Sequence, residues 1–228
     1  MAEDKVISLP RSGRPRRAPT VERVRRTKIR RILSLLRRMI PIPAYLVDPT
    51  GPLLVTVSRL LKRAAYGEAL ALSHEGLQRC GQGKDAKSRR RWWQFLSCAV
   101  HSTEMLDRGA ERENLIALAK AYQARDKGHS VAYCFSHFSR WKYAERDYDT
   151  AVAYAEIARD ADRTFAEAHF LLGWYALYIR QADPLDHFRS AVENDPRYLE
   201  RITRDPELLN FPHIIRDLRR PWLRSRAK

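Results

Sequence analysis

Residues 21–40 place apolar and basic positions at the 3.6-residue spacing of an amphipathic helix. One side of this predicted helix is aliphatic, with Ile29, Ile32, Leu33, Leu36, Met39 and Ile40. The other side is cationic, with Arg30, Arg31, Arg37 and Arg38. Pro41 ends the helix, because proline lacks the N–H that the next helical turn needs. Residues 1–20 hold three prolines and no apolar periodicity, so we expect a disordered tail there.

From about residue 50 the pattern changes to pairs of helices separated by short polar turns. Two segments, beginning at Ala132 and Ala166, are related by a shift of 34 residues. Each has an aromatic-rich first helix, a polar turn and a second helix with alanines at close-packing positions. A helix–turn–helix unit that recurs every 34 residues predicts a repeat architecture.

Small residues and a proline occupy defined places in these segments. The last segment has Leu172-Gly173 in its first helix, Ala191 in its second and Pro196 at its end. The segment before it has Ala151 and Ala158 in its second helix but Phe138-Ser139 where Leu-Gly would stand. Weaker matches upstream involve Tyr66-Gly67-Glu68-Ala69, Gly76, Ala117, Ala121 and Ala124. On these residues the chain resembles the tetratricopeptide-repeat (TPR) family.

The resemblance implies an all-α fold, a TPR-like α-solenoid of about four helical hairpins. We expect this repeat domain to span residues 49–220, with residues 84–97 as an insertion and residues 198–220 as the capping helix. A cap is needed because the last repeat of an open array otherwise leaves an apolar face exposed. Residues 1–20 then form a basic tail, 21–48 a basic helical arm with a linker, and 221–228 a second basic tail.

The net charge of +16 is concentrated at the two ends of the chain. Residues 1–48 carry thirteen basic and four acidic residues, and residues 201–228 carry eight basic and three acidic residues. The central part is nearly neutral. Polycationic ends attract nucleic acid, acidic protein surfaces or anionic lipid, without deciding among them.

We find no pattern that predicts catalysis. The sequence contains no HExxH, GxSxG or phosphate-binding loop motif. The three cysteines, Cys80, Cys98 and Cys134, lie too far apart for a zinc site and are odd in number, which favours a reducing compartment. The histidines are scattered singly. We therefore expect no enzyme activity, no cofactor and no metal, and a cytoplasmic location.

Arrays of this family bind peptides on the concave surface formed by the first helix of each repeat. The resemblance assigns that surface to His137, Arg140, Trp141, Tyr175 and Tyr178. Aromatic and basic groups together suit an acidic peptide. The competing interpretation is that the aromatic residues belong to the repeat core. The family's asparagine-dependent clamp for a terminal carboxylate is not expected, because no asparagine lies at a matching first-helix position.

Trp92 and Trp93 follow a basic run on a predicted helix and have two interpretations. They could form a stacking surface for a base or another ligand. Alternatively, one packs between repeats and the other lies beneath neighbouring arginines. Since adjacent helical side chains point about 100° apart, we expect at most one to be fully buried.

The leading interpretation is a scaffold that recognises an acidic protein or peptide partner through its concave surface. The alternative is an accessory protein whose arm contacts the phosphates of RNA or DNA through Arg30, Arg31, Arg37 and Arg38. The arm could instead lie on an anionic membrane, which is a weaker expectation, or pack its apolar side against the repeats.

Overall fold

The computed structural model describes residues 50–81, 85–121, 126–179 and 183–226, with side chains as far as residue 219. Regular structure in these ranges consists of ten α-helices and one 3₁₀ turn, without a β-strand. The helices are α1 (Thr50–Lys62), α2 (Tyr66–Cys80), α3 (Ala86–Met105), α4 (Gly109–Lys120), α5 (His129–Ala144), α6 (Tyr148–Ala161), α7 (Ala166–Tyr178), α8 (Leu185–Asn194), α9 (Arg197–Arg204) and α10 (Pro212–Arg226), with the 3₁₀ turn at Leu208–Asn210. The expected all-α fold is confirmed for this part of the chain.

The turns after α1, α3 and α5 share one backbone geometry. Each contains one non-glycine residue with a positive φ: Ala64 at 56°, Asp107 at 48° and Arg146 at 64°. In each turn the next residue donates its N–H to a carbonyl five residues earlier, in the pairs Ala65–Leu60, Arg108–Thr103 and Asp147–Lys142. This hydrogen bond and the left-handed residue define the Schellman ending of a helix, which reverses the chain within a few residues.

Helices that are neighbours in the sequence pack against each other from α1 through to α9. The odd-numbered helices α1, α3, α5 and α7 also contact one another in succession. The largest apolar cluster extends from Val57 in α1 to Ala168 in α7 and includes Phe95, Phe135 and Phe138, which are inaccessible to solvent. Burial of this apolar surface, to which the aromatic rings contribute large areas, is the main stabilising contribution of this region.

Two glycines let helices approach closely. A Cβ atom built on Gly173 in α7 would lie 2.7 Å from Cδ1 of Phe188 in α8. A Cβ atom built on Gly76 in α2 would lie 2.4 Å from the Phe95 ring in α3. Ala151 and other alanines on the second helices are also inaccessible: Ala69, Ala158 and Ala191. The expected alignment of alanines near α4 is wrong: Ala117 in the helix and Ala121 just after it are exposed, whereas Ala119 is buried, and Ala124 falls outside the described residues.

The C-terminal residues form two helices where one capping helix was expected. α9 and α10 are separated by a break at Asp205, whose backbone is extended at φ −69° and ψ 121°. Pro206 follows, and a proline disfavours helical geometry in the residue before it. Both helices still cover apolar surface of α7 and α8, in a cluster of Phe170, Phe188, Ala191, Leu199, Ile202, Leu208, Ile214 and Leu218.

Candidate partner-binding groove

A polar groove of about 720 Å³ runs across α5, α7 and α9. Its side chains come from α5, from the start of α7, from α9 and from the residues that precede α7 and α9. They are His129, Tyr133, Ser136, His137, Arg140, Thr164, Phe165, Ala166, Glu167, Asn194, Asp195, Pro196, Arg197, Tyr198 and Arg201. The groove therefore spans several segments of the chain that are far apart in the sequence.

Tyr133, Glu167 and Arg201 line the groove at equivalent positions of the 34-residue spacing. Each lies in an odd-numbered helix, in α5, α7 and α9 respectively. Because α5 packs on α7, and α7 meets α9 through side-chain contacts, these equivalent positions face the same space. A repeated spacing in the sequence thus becomes a row of side chains along one surface.

Glu167 is the centre of the polar contacts in the groove. It accepts hydrogen bonds from the hydroxyl of Tyr198, at 2.6 Å, and from the guanidinium of Arg201. The Arg201 guanidinium also lies 4.0 Å from the centre of the Phe170 ring, within cation–π range. At the next position along the groove, Arg197 forms an ion pair with Asp195 at 2.8 Å.

Arg140 has the longest ion pair of the three arginines in the groove. Its side chain is 47% exposed, and its ion pair with Glu104 is long at 3.6 Å. The same carboxylate accepts a hydrogen bond from the indole N–H of Trp141. Since this competing contact holds Glu104 in place, the Arg140 guanidinium retains capacity for an incoming anion.

His137 lies deeper in the groove and is uncharged at neutral pH. Burial, followed by the positive charge of Arg140, lowers the pKa of His137 to about 4. Its ring lies against Tyr133 in a tilted arrangement with 4.5 Å between centroids, and its buried Nδ1 has no hydrogen-bond partner among the described residues. At neutral pH it therefore adds no charge to the groove.

The five residues assigned to the concave surface lie in different environments. His137 and Arg140 line the groove. Trp141 and Tyr175 are 3% and 2% exposed, so the structure places both in the core and not on the groove surface. Tyr178 is partly exposed but packs against Trp174 and Phe211, away from the groove lining. For the aromatic residues, packing between helices is the role that the contacts support.

The sequence interpretation missed most of the groove. It did not single out Tyr133, Glu167, Tyr198 or Arg201, although three of them share the 34-residue spacing that identified the repeats. Asn194 also lines the groove, but its Nδ2 donates weakly, at 3.4 Å, to the carbonyl of Arg163. The 34-residue spacing could have identified the charged residues if it had been applied to polar positions as well as to small ones.

Other sequence predictions are either corrected by the structure or lie outside the residues that it describes. Trp92 and Trp93 are 4% and 2% exposed, which corrects the expectation that at most one would be buried. α1, α2 and α5 enclose α3, so side chains on two sides of this helix are buried. Arg30, Arg31, Arg37 and Arg38 fall outside the described residues.

Within the described ranges, no group of three or more His, Cys, Asp or Glu side chains is placed to hold a metal ion. No helix in those ranges is long and apolar enough to cross a bilayer. No protein-family model matches the chain, and a search of the curated proteins gives no significant match. The similarity to the TPR family therefore depends on the residues and spacing given above.

Proposed function

We propose that this chain is a non-catalytic scaffold that binds a protein partner in the groove across α5, α7 and α9. The observation that carries the proposal is the alignment of Tyr133, Glu167 and Arg201, which lie 34 residues apart and line one surface. An extended peptide suits such a surface, because its successive side chains can meet successive helices. The expected location of the scaffold is the cytoplasm.

The proposal includes a fold of TPR-like hairpin repeats with a C-terminal cap and a basic N-terminal arm. Three features of the described residues support the repeats. The turns after α1, α3 and α5 share one geometry, and the odd-numbered helices contact each other in succession. Gly173 lies beneath the Phe188 ring of α8, at the close helix contact expected of the Leu-Gly step. Repeats of this kind stack in one direction, so each first helix reaches the same side.

The charges of the groove favour an acidic segment in the partner. Three arginines, Arg140, Arg197 and Arg201, face two carboxylates, Glu167 and Asp195. The two carboxylates are already paired with Arg201 and Arg197, and the ion pair of Arg140 with Glu104, outside the groove lining, is long at 3.6 Å, so Arg140 is the groove arginine most open to a further anion. A carboxylate from the partner would complete the coordination of Arg140, and charge-assisted pairs of this kind are stronger than neutral hydrogen bonds.

Fluorescence anisotropy with labelled peptides tests the groove. The probes are random-sequence 12-residue peptide pools of equal length that carry either Glu or Lys at every third position. We expect the Glu pool to bind the wild type more tightly than the Lys pool. Arg140→Glu should reverse or abolish that preference, because it replaces the positive charge of this arginine with a negative one.

The matched control is Arg189→Glu, which makes the same charge change on α8 outside the groove lining. It should leave the preference intact. An equal loss in both variants would mean that the peptides respond to overall charge, and the groove would lose its support. Circular dichroism at the binding temperature establishes that both variants remain folded.

The alternative function is that of an RNA- or DNA-binding accessory protein, favoured by the excess positive charge of residues 1–48. Neutralising Arg30, Arg31, Arg37 and Arg38 removes up to four phosphate contacts. The salt dependence of polyanion binding should then become shallower by about 0.7–0.9 per lost contact. Identical slopes for wild type and quadruple variant would exclude the arm as the phosphate-binding element. If the wild type binds no nucleic acid at low salt, the alternative is rejected.

A further inference from the structure

The basic run at the start of α3 is not part of the groove, and its arginines are used in different ways. Arg91 donates to the hydroxyl of Thr50 at 2.8 Å. Arg89 donates through Nε to Asp126 at 3.0 Å. Arg90 is exposed and makes no ion pair with any described residue. The run therefore combines arginines that hold other segments in place with one that faces solvent.

A cavity of about 550 Å³ lies between this part of α3 and residues 126–131. Its lining comprises Ala86, Arg89, Arg90, Trp93, Gln94, Asp126, Lys127, Gly128, His129, Ser130 and Val131. Three of these residues carry positive charge and one, Asp126, carries negative charge. The groove, by comparison, has three arginines and two carboxylates, so this cavity has the larger excess of positive charge.

Asp126 cannot neutralise the whole cluster, because both of its oxygens are occupied. Oδ1 accepts from Arg89, and Oδ2 accepts from the indole N–H of Trp93 at 2.9 Å. The Asp126 side chain is only 12% exposed, so these contacts are shielded from solvent and fix the Arg89 guanidinium. Lys127 is exposed and, like Arg90, makes no ion pair with a described residue.

We propose that this cavity binds a phosphate group. Arg90 and Lys127 supply two charges that no described carboxylate offsets, and a phosphate monoester carries about −1.5 to −2 at neutral pH. Arginine suits such an anion, since its planar guanidinium can donate two parallel hydrogen bonds to phosphate oxygens. The buried Trp92 and Trp93 cannot stack on a base, so the site recognises the phosphate and not a nucleobase.

The indole N–H of Trp93 is a built-in reporter, because it bonds to the carboxylate at the cavity wall. The full chain is labelled with ¹⁵N-tryptophan, which gives five indole resonances, and Trp93→Phe identifies the one required. Sodium pyrophosphate is titrated at constant ionic strength. We expect a saturable shift of the Trp93 resonance, with a dissociation constant that rises with salt concentration.

The variant Arg90→Ala/Lys127→Ala should weaken pyrophosphate binding at least tenfold. Its matched control, Arg204→Ala/Arg216→Ala, removes the same charge from two exposed arginines outside the cavity and should bind as the wild type does. Both altered cavity residues are exposed, and a thermal melt verifies their fold. Arg90→Gln, which keeps much of the side-chain length, provides a milder second variant with an intermediate loss.

A hexathymidylate with and without a 5′-phosphate distinguishes the source of the phosphate group on the same resonance. Tighter binding of the 5′-phosphorylated form indicates a terminal monoester, and equal binding indicates the phosphodiester backbone. Binding of pyrophosphate alone indicates a small phosphorylated molecule. A non-saturating shift, or equal affinities in the cavity and control variants, would overturn the proposal, because either result reflects only the chain's overall positive charge.

Discussion

The hairpins α5–α6 and α7–α8 are the two clearest copies of the 34-residue unit, and they differ in chemistry at equivalent positions. At two first-helix positions the first hairpin has a polar or titratable side chain where the second has an apolar side chain or none, and a third position is aromatic in both hairpins. Three pairs of first-helix residues make the comparison: His137 and Leu171, Ser139 and Gly173, Trp141 and Tyr175. The last pair is buried in both hairpins.

The pair Ser139 and Gly173 shows how one spatial requirement is met in two ways. Gly173 has no side chain, and the Phe188 ring lies over its Cα. Ser139 is equally inaccessible, but its hydroxyl donates to the carbonyl of Ala151 at 2.7 Å. The 34-residue spacing therefore predicts where two helices lie close, whereas the residue at that place decides the kind of contact.

The largest expected effect is the loss of stability at low pH that His137 of the first hairpin causes. Because the pKa of His137 is about 4 in the folded protein, the unfolded chain takes up a proton first as the pH falls below 6.5. Stability is fully present above pH 6.5 and is lost as the pH falls toward 4. Between pH 7 and 4.5 this one group should lower the free energy of unfolding by about 2–3 kcal/mol.

His137→Leu introduces the residue that the second hairpin has at the equivalent position. Urea denaturation at pH 7 and pH 4.5 should show a smaller loss of stability in this variant than in wild type. His169→Leu is the control, since it removes a histidine from the other hairpin. If wild type and His137→Leu lose the same stability on acidification, His137 is not buried in its neutral form.

The second effect concerns the close approach at Gly173. Gly173→Leu should cost roughly 1–3 kcal/mol, because even a Cβ atom there would lie 2.7 Å from the Phe188 ring. The matched control is Gly67→Leu in α2, where a Cβ atom meets nothing within 4 Å. Chemical denaturation of both variants checks the difference. An unchanged midpoint for Gly173→Leu would contradict the alignment of the second hairpin with the repeat pattern.

The helical fold and its small residues could be predicted because spacing and residue size act locally. Gly173 and Ala191 were identified from the sequence, and both are buried at helix contacts. The burial of Trp93 and Tyr175 could not be predicted in the same way. Whether an aromatic residue on a first helix faces the core or a groove depends on which neighbouring helices enclose it, and that is a property of the stack.

The groove residues could not be predicted from the sequence for a related reason. Tyr133, Glu167 and Arg201 share the repeat spacing, but their residue types differ, so no similarity of side chain marks them as one site. Only the packing of α5 on α7 and the contacts of α9 with Glu167 bring them to one surface. By contrast, Arg140 was identified because the family resemblance assigns the first helix of each repeat to the concave surface.

The smallest expected effect tests the hydrogen bond that replaces glycine in the first hairpin. Ser139 has one hydroxyl hydrogen, which goes to Ala151, so the Tyr175 hydroxyl is the donor in their 2.9 Å contact. Ser139→Ala leaves that buried hydroxyl without its acceptor and should cost about 1 kcal/mol. Ser139→Ala/Tyr175→Phe removes both polar groups and should recover part of the loss, since the unsatisfied donor is gone.

The control for this cycle is Ser58→Ala, because Ser58 is exposed and its hydroxyl bonds only to a carbonyl of its own helix among the described residues. Its effect on the denaturation midpoint should be close to zero. The coupling between Ser139 and Tyr175 is the double-variant loss minus the two single losses, which isolates their pairwise contact. A strictly additive result would mean that the two hydroxyls do not interact. The polar contact would then not be what links the first hairpin to α7, and helix packing alone would join the two hairpins.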